Sequence, residues 1–161
     1  MLVAMLKSIR ILLAVAVKLD FKIWKMNVKT TFLNDNLKED IYMQQPKGFI
    51  AKGQEHMVCK LQMAIYGLKQ ASRSWNIRFD QAIKIFGFDK SPNDPCVYKR
   101  IQGVIVIFLV LYVDNILLIR NDVKVLSNVK GWLKDQFELK DLREINYILG
   151  IKILRDQRIS Y

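Results

Sequence analysis

Ile9, Leu12, Leu13, Ala16 and Val17 recur at i, i+3, i+4, i+7 and i+8, the spacing that lines one face of an amphipathic helix. Lys7-Ser8-Ile9-Arg10 before the apolar run Ile11–Val17, with Ala14-Val15-Ala16 inside it, also bears a faint likeness to a signal peptide; the helix accounts for more of the pattern. Over Phe21–Phe32 the period changes to two. Trp24, Met26 and Val28 alternate with Lys25, Asn27 and Lys29, which predicts a half-buried strand. Ile41-Tyr42-Met43 is a second extended piece, and Pro46, Gly48 and Gly53 mark the loop after it, which runs to about His56.

The helical period returns over Leu68–Phe86, where Leu68, Ala71, Trp75, Phe79, Ala82, Ile83 and Phe86 share a face. Gly87 fits the C-terminal end of that helix, and Ser91-Pro92-Asn93-Asp94-Pro95 reads as a turn-rich connector. Val104–Val113 is continuously apolar, Asp114-Asn115 interrupts it, and Ile116–Ile119 resumes it. This pattern predicts a buried β-hairpin. A third helix follows, capped by Asn121 or Asp122, with Val123, Leu126, Val129, Leu133 and Phe137 on its inner side. Tyr147–Ile153 closes as a strand. With no repeat, low-complexity stretch or linker, the chain reads as one α+β unit. No uninterrupted apolar run approaches the ~18 residues of a transmembrane helix, so no membrane partner is expected.

Composition sharpens one point. A 161-residue chain with 52% hydrophobic residues suits one compact domain or part of a larger one, but its formal net charge is +11. Each half contributes to that surplus, so the basic residues form no tail. A spread surplus suits a broad surface facing a polyanion such as nucleic acid; a solvated basic surface is the plainer alternative. Two cysteines, Cys59 and Cys96, and one histidine, His56, have no zinc-like spacing. The cysteines read as reduced thiols of an intracellular protein, cytoplasmic or nuclear.

The interruption of the hairpin is the candidate for chemistry. Asp114 stands between two of the most apolar segments of the chain, and burying a bare carboxylate there costs several kcal/mol unless it is paired. Two readings stand side by side: a turn that presents Asp114 to water, or a metal-binding carboxylate.

Four motifs bear on that choice. Tyr112-Val113-Asp114-Asn115 resembles the Tyr-X-Asp-Asp hairpin of reverse transcriptases. Met26-Asn27-Val28-Lys29-Thr30-Thr31-Phe32-Leu33-Asn34 resembles the copia-type signature Met-Asp-Val-Lys-Thr-Ala-Phe-Leu-Asn. Tyr66-Gly67-Leu68-Lys69-Gln70-Ala71 and Leu149-Gly150-Ile151-Lys152 match two further elements of that family, and all four occur in family order. Ile41–Pro46 and Val58–Leu61 add smaller matches. The chain is therefore identified as resembling a copia-type retrotransposon reverse transcriptase over nearly its whole length. The resemblance implies a palm, an antiparallel sheet with helices packed on one face, together with partial fingers. It places further fingers before Met1 and a thumb and RNase H domain beyond Tyr161, absent from this sequence.

It also implies two-metal nucleotidyl transfer using Mg²⁺, with an RNA template, a DNA primer and dNTPs as partners. The family's three metal-binding aspartates fall on Asn27, Asp114 and Asn115, so two of them are amides and Asp114 alone is left as a metal ligand. By the same resemblance Phe32 is the aromatic gate against a ribose 2′-hydroxyl, Gln70 lines the nucleotide pocket and Tyr112 packs near the primer end. Lys69 and Arg73 meet template–primer phosphates, and Leu149-Gly150 belongs to the primer grip. Arg120 and Arg143 stand where the family usually has glycine; if those glycines hold φ > 0, arginine costs about 1 kcal/mol or more at each. The expectation is a polymerase by descent that no longer polymerises. Its alternative is a non-catalytic nucleic-acid-binding module whose affinity falls steeply with salt.

Overall fold

The computed structural model describes residues 3–29, 39–65, 68–120, 122–145 and 147–154, apart from the side chains at 69, 70 and 141–143. In chain order the elements are α1 (Leu6–Lys18), β1 (Lys22–Val28), β2 (Tyr42–Gln44), β3 (Val58–Lys60), α2 (Lys69–Ile85), β4 (Asp89–Lys90), β5 (Val97–Gln102), β6 (Ile105–Tyr112), β7 (Asn115–Arg120), α3 (Val123–Gln136), β8 (Leu139–Glu144), β9 (Tyr147–Ile148) and β10 (Ile151–Lys152). They fall into two compact units, one of residues 30–78 and one of residues 2–29 with 79–161. In the smaller unit, β2 and β3 pair antiparallel, Met43 opposite Cys59.

The larger unit is built on a six-stranded antiparallel sheet in the order β4-β5-β6-β7-β1-β8. Its centre is the β6–β7 hairpin, whose strands carry the apolar runs. Leu109 and Leu118 face each other across it, both 0% exposed; full burial of such a side chain is worth about 1.5–3 kcal/mol.

The register fixes which side chains share a face. Trp24, Leu118, Leu109 and Tyr98 form one cross-strand row, and Ile23, Ile119, Phe108 and Lys99 form the next. Adjacent rows point to opposite faces. On the first face Lys130 of α3 lies 4.2 Å from the centre of the Trp24 ring, and Phe79 of α2 meets Tyr98 edge-on at 5.9 Å. On the second, Ile11 and Leu12 of α1 share a cavity of about 400 Å³ with Lys99 and Phe108. Helices therefore cover both faces. The expectation of helices on one face is corrected: α1 precedes the sheet in sequence and takes the face that α2 and α3 leave open.

Local expectations hold with adjustments. α1 buries Ile9, Leu12, Leu13 and Ala16, but Val17 is 56% exposed. α2 ends where expected, with Gly87 at φ 92° and its N–H on the Lys84 carbonyl. Asp122 rather than Asn121 caps α3, its carboxylate accepting the Lys124 and Val125 N–H groups at 2.9 and 3.2 Å. Leu126, Val129, Leu133 and Phe137 are buried, while Val123 points out at 54% exposure. Tyr147–Ile153 is not one strand. Leu149 and Gly150, at φ 48° and 79°, turn the chain back so that β9 and β10 pair with each other. Arg120 closes β7 and Arg143 lies inside β8. Neither has a left-handed backbone, so the strain expected at those arginines is not there; among described non-glycine residues, positive φ occurs at Asp20, Val113 and Leu149.

Candidate active site at the β6–β7 hairpin

Met26 and Val28 are buried at 0% and 5% exposure, and strand alternation turns Asn27 to the opposite face. Asn27 stands directly across from Asn115, the first residue of β7, which in turn faces Tyr112, the last of β6. The turn is therefore Val113-Asp114, one residue earlier than the Asp114-Asn115 break in hydropathy suggests. Val113 occupies φ 56°, an unfavourable conformation for a β-branched residue. The Val28 N–H donates to the Asp114 carbonyl at 2.7 Å, tying the hairpin tip to the end of β1.

The three side chains form a closed hydrogen-bonded cluster. Asn27 Nδ2 donates to Asp114 Oδ2 at 3.1 Å and, more weakly, to Asn115 Oδ1 at 3.4 Å. Asn115 Nδ2 donates to Asp114 Oδ1 at 3.0 Å. Each carboxylate oxygen of Asp114 thus holds an amide hydrogen. The amide orientations follow from the chemistry, since turning Asn27 over would set its oxygen against the carboxylate. All three residues are half-buried.

The surroundings are basic. Lys140 of β8 stands directly opposite Asn27, and Lys25 lies two residues before it on the same strand face. Lys29 pairs with Glu138 at 3.6 Å. Lys140 has no signature in the sequence because Leu139–Glu144 lacks a period-two apolar pattern; only pairing with β1 reveals its position. Tyr112, half-buried, lies beside Asn115 and is bridged to Val3. Among the described residues no group of three or more His, Cys, Asp or Glu is placed to hold a metal ion.

The structure thus brings Asn27, Asp114, Asn115 and Tyr112 together. Arg73 is exposed on α2 in the smaller unit. Lys69 and Gln70 begin that helix, their side chains undescribed, and Phe32 lies outside the described residues. Leu149 and Gly150 form the turn of the separate β9–β10 ladder, with Leu149 40% exposed.

An antiparallel sheet with a polar hairpin tip beside a facing strand defines the class of site, one built to gather side chains at the strand ends. Residues 2–160 match the family model for reverse transcriptase (RNA-dependent DNA polymerase), and the chain belongs to that family. It is 44% identical over 96% of its length to the Retrovirus-related Pol polyprotein from transposon TNT 1-94 of Nicotiana tabacum. It is 40% identical over 92% of its length to the corresponding polyprotein from transposon RE1 of Arabidopsis thaliana. The chain is a copia-type reverse transcriptase domain by these relationships, and it spans 12% and 10% of those two polyproteins. No solved structure matches it significantly. Among the described residues no helix is long and apolar enough to cross a membrane.

Proposed function

We propose that this chain is a reverse-transcriptase palm with partial fingers, in which an amide–carboxylate cluster stands in place of the metal-binding carboxylates, and that it does not polymerise DNA. The observation that carries this reading is that both oxygens of Asp114 already accept amide hydrogens, from Asn27 at 3.1 Å and Asn115 at 3.0 Å.

The family's chemistry uses two Mg²⁺ ions about 4 Å apart to stabilise the attacking and leaving oxygens. Mg²⁺ demands hard oxygen ligands in a near-octahedral set. An amide can offer its carbonyl oxygen but brings no charge. A unit charge at 4 Å is worth about 4 kcal/mol at an effective dielectric near 20, and two such charges are missing here. Lys25 and Lys140 add charge of the wrong sign for a cation site. The residues present therefore do not fit a two-metal centre, and no catalytic step is assigned to one.

The remaining positions keep their family roles in this reading. By family resemblance Phe32 and Gln70 are assigned to the nucleotide, Tyr112 to the primer end, Lys69 and Arg73 to the phosphates of an RNA template and DNA primer, and Leu149-Gly150 to the primer strand. The net charge of +11 supports a polyanionic partner.

The test is primer extension on a primed RNA template with dNTPs and Mg²⁺, run on the unaltered chain and on Asn27→Asp/Asn115→Asp. The unaltered chain is expected to give no product above a no-protein control. Titrated Mg²⁺ is expected to shift the NMR signals around Asp114 only in the double variant. Template-dependent extension by the unaltered chain would overturn the proposal.

A further inference from the structure

The loop between β2 and β3 is built to hold one aromatic ring in water. Two turns of the same kind frame it. In Pro46-Lys47-Gly48-Phe49 the Phe49 N–H donates to the Pro46 carbonyl at 3.0 Å, and Gly48 has φ 89°. In Ala51-Lys52-Gly53-Gln54 the Gln54 N–H donates to the Ala51 carbonyl at 2.9 Å, and Gly53 has φ 83°. Each turn therefore has lysine at its second position and glycine at its third, where left-handed backbone is needed. A Cβ on either glycine would meet open space, so backbone conformation rather than crowding calls for glycine there.

The loop is clamped from its base. Gln45 Nε2, just after β2, donates to the carbonyls of Gln54 at 2.6 Å and Met57 at 2.9 Å. The loop's single acidic side chain, Glu55, accepts the Gly53 N–H at 3.0 Å, and that bond holds its carboxyl below the usual range. Lys47 and Lys52 are exposed on either side, and Phe49 is 81% exposed between them.

We infer that Phe49, flanked by Lys47 and Lys52, is a stacking platform for an unpaired base of single-stranded nucleic acid. An exposed ring with exposed lysines two residues before and three residues after it in the sequence matches the two demands of such a ligand, base stacking and backbone neutralisation. The fixed loop lowers the ordering cost of binding. Flanking ammonium groups disfavour an apolar protein surface, which would have to desolvate them. The inference concerns binding alone and stands whether or not the hairpin site is active.

The test is fluorescence anisotropy on the full chain with a labelled oligo(dU) and a blunt DNA duplex of equal length, in EDTA. Phe49→Ala is expected to weaken single-strand binding roughly tenfold, within the range of one base–aromatic stack, and to leave duplex binding unchanged. Phe49→Leu should lose as much, because it keeps apolar area without a π-face, whereas Phe49→Trp should restore binding. Lys47→Ala/Lys52→Ala should reduce the slope of log K against log salt by about 0.7 for each phosphate that is no longer neutralised. No single-strand binding by the unaltered chain, equal loss on duplex, or full retention by Phe49→Leu each overturns the inference. So does a Phe49→Ala variant that binds oligo(dU) normally but changes the sedimentation coefficient, an outcome that would mark a protein contact.

Discussion

Two aspartates in the larger unit solve the same problem in opposite ways. Asp114, at the hairpin tip, is satisfied by the neutral amides of Asn27 and Asn115. Asp80, on α2, is satisfied by charge. Lys90 and Lys84 reach it at 2.6 and 2.7 Å, and the Tyr98 hydroxyl donates to it at 3.0 Å. Asp80 is 18% exposed and Tyr98 is fully buried. The Asp80 cluster binds a helix to the sheet, and its one negative charge is met by two ammonium groups. The Asp114 cluster bonds strand ends to one another through neutral donors, and its one negative charge is left uncompensated within the cluster. The contrast teaches that paired charges mark Asp80 as a structural tie, whereas at Asp114 the amides satisfy hydrogen bonds without supplying what a cation site needs.

The largest expected effect comes from removing Asp80. Asp80→Ala strands the hydroxyl of buried Tyr98 and unpairs the partly exposed Lys84 and Lys90, and should destabilise the fold by about 2 kcal/mol in urea unfolding. Its pH dependence has a definite sign. Burial raises the Asp80 pKa, but the bonds from Lys84, Lys90 and Tyr98 outweigh it and the net shift is downward. A depressed folded pKa gives stability that is fully present above the unfolded carboxylate value of about 3.9 and lost as pH falls through the folded one. Asp80→Ala should therefore lose this component of acid sensitivity. An Asp80→Ala midpoint within experimental error of the unaltered chain would reduce Asp80 to a surface charge.

How much of each cluster is legible in the sequence follows from how local its cause is. The β6–β7 hairpin is legible because Val104–Val113 and Ile116–Ile119 carry their own apolar signal. Asn27 and Asn115 are legible as partners of Asp114 only through the family motifs, because Asn27 lies 87 and 88 positions from its two partners and shares no local pattern with them. Of the Asp80 cluster only the i,i+4 pair of Asp80 with Lys84 is local. Tyr98 and Lys90 lie on strands β5 and β4, whose charged sequences Val97–Gln102 and Asp89–Lys90 are held extended by neighbours rather than by propensity. β8 is hidden for the same reason, and Lys140 with it. The one-residue displacement of the turn is of another kind: hydropathy marks where apolar residues stop, while the turn falls where the ladder's register puts it.

An intermediate effect is expected from converting the amide cluster toward the charged kind without its cations. Asn27→Asp places a second carboxylate about 3 Å from Asp114, where two like charges cannot both ionise freely. The pair then titrates as a unit with one apparent pKa raised. The native state binds more protons than the unfolded chain, so the cost appears as pH rises through the unfolded carboxylate range and is complete above the raised value. A loss of about 1–2 kcal/mol at neutral pH is expected, relieved below about pH 4 and relieved in part by millimolar Mg²⁺. Equal stability of Asn27→Asp and the unaltered chain across that range would mean that the cluster opens easily and does not constrain Asp114.

The smallest effect isolates the backbone beneath Asp114. Val113 sits at φ 56° immediately before it, a conformation that costs an L-residue about 1–2 kcal/mol. Val113→Gly removes that strain, but it gives the unfolded chain more freedom, about 0.5–1 kcal/mol, and removes a half-buried side chain. The first two effects leave about 0.5–1 kcal/mol of stabilisation, and the lost half-burial of roughly 1 kcal/mol offsets it, so Tm is expected to stay within about two degrees of the unaltered chain. A helical position such as that of Asp80 has no corresponding strain to release. If Val113→Gly instead lowers stability by more than about 1 kcal/mol, the valine side chain outweighs the turn strain. The Asp114 cluster would then rest on apolar packing beneath the turn, as the Asp80 cluster rests on the packing of α2 against Tyr98.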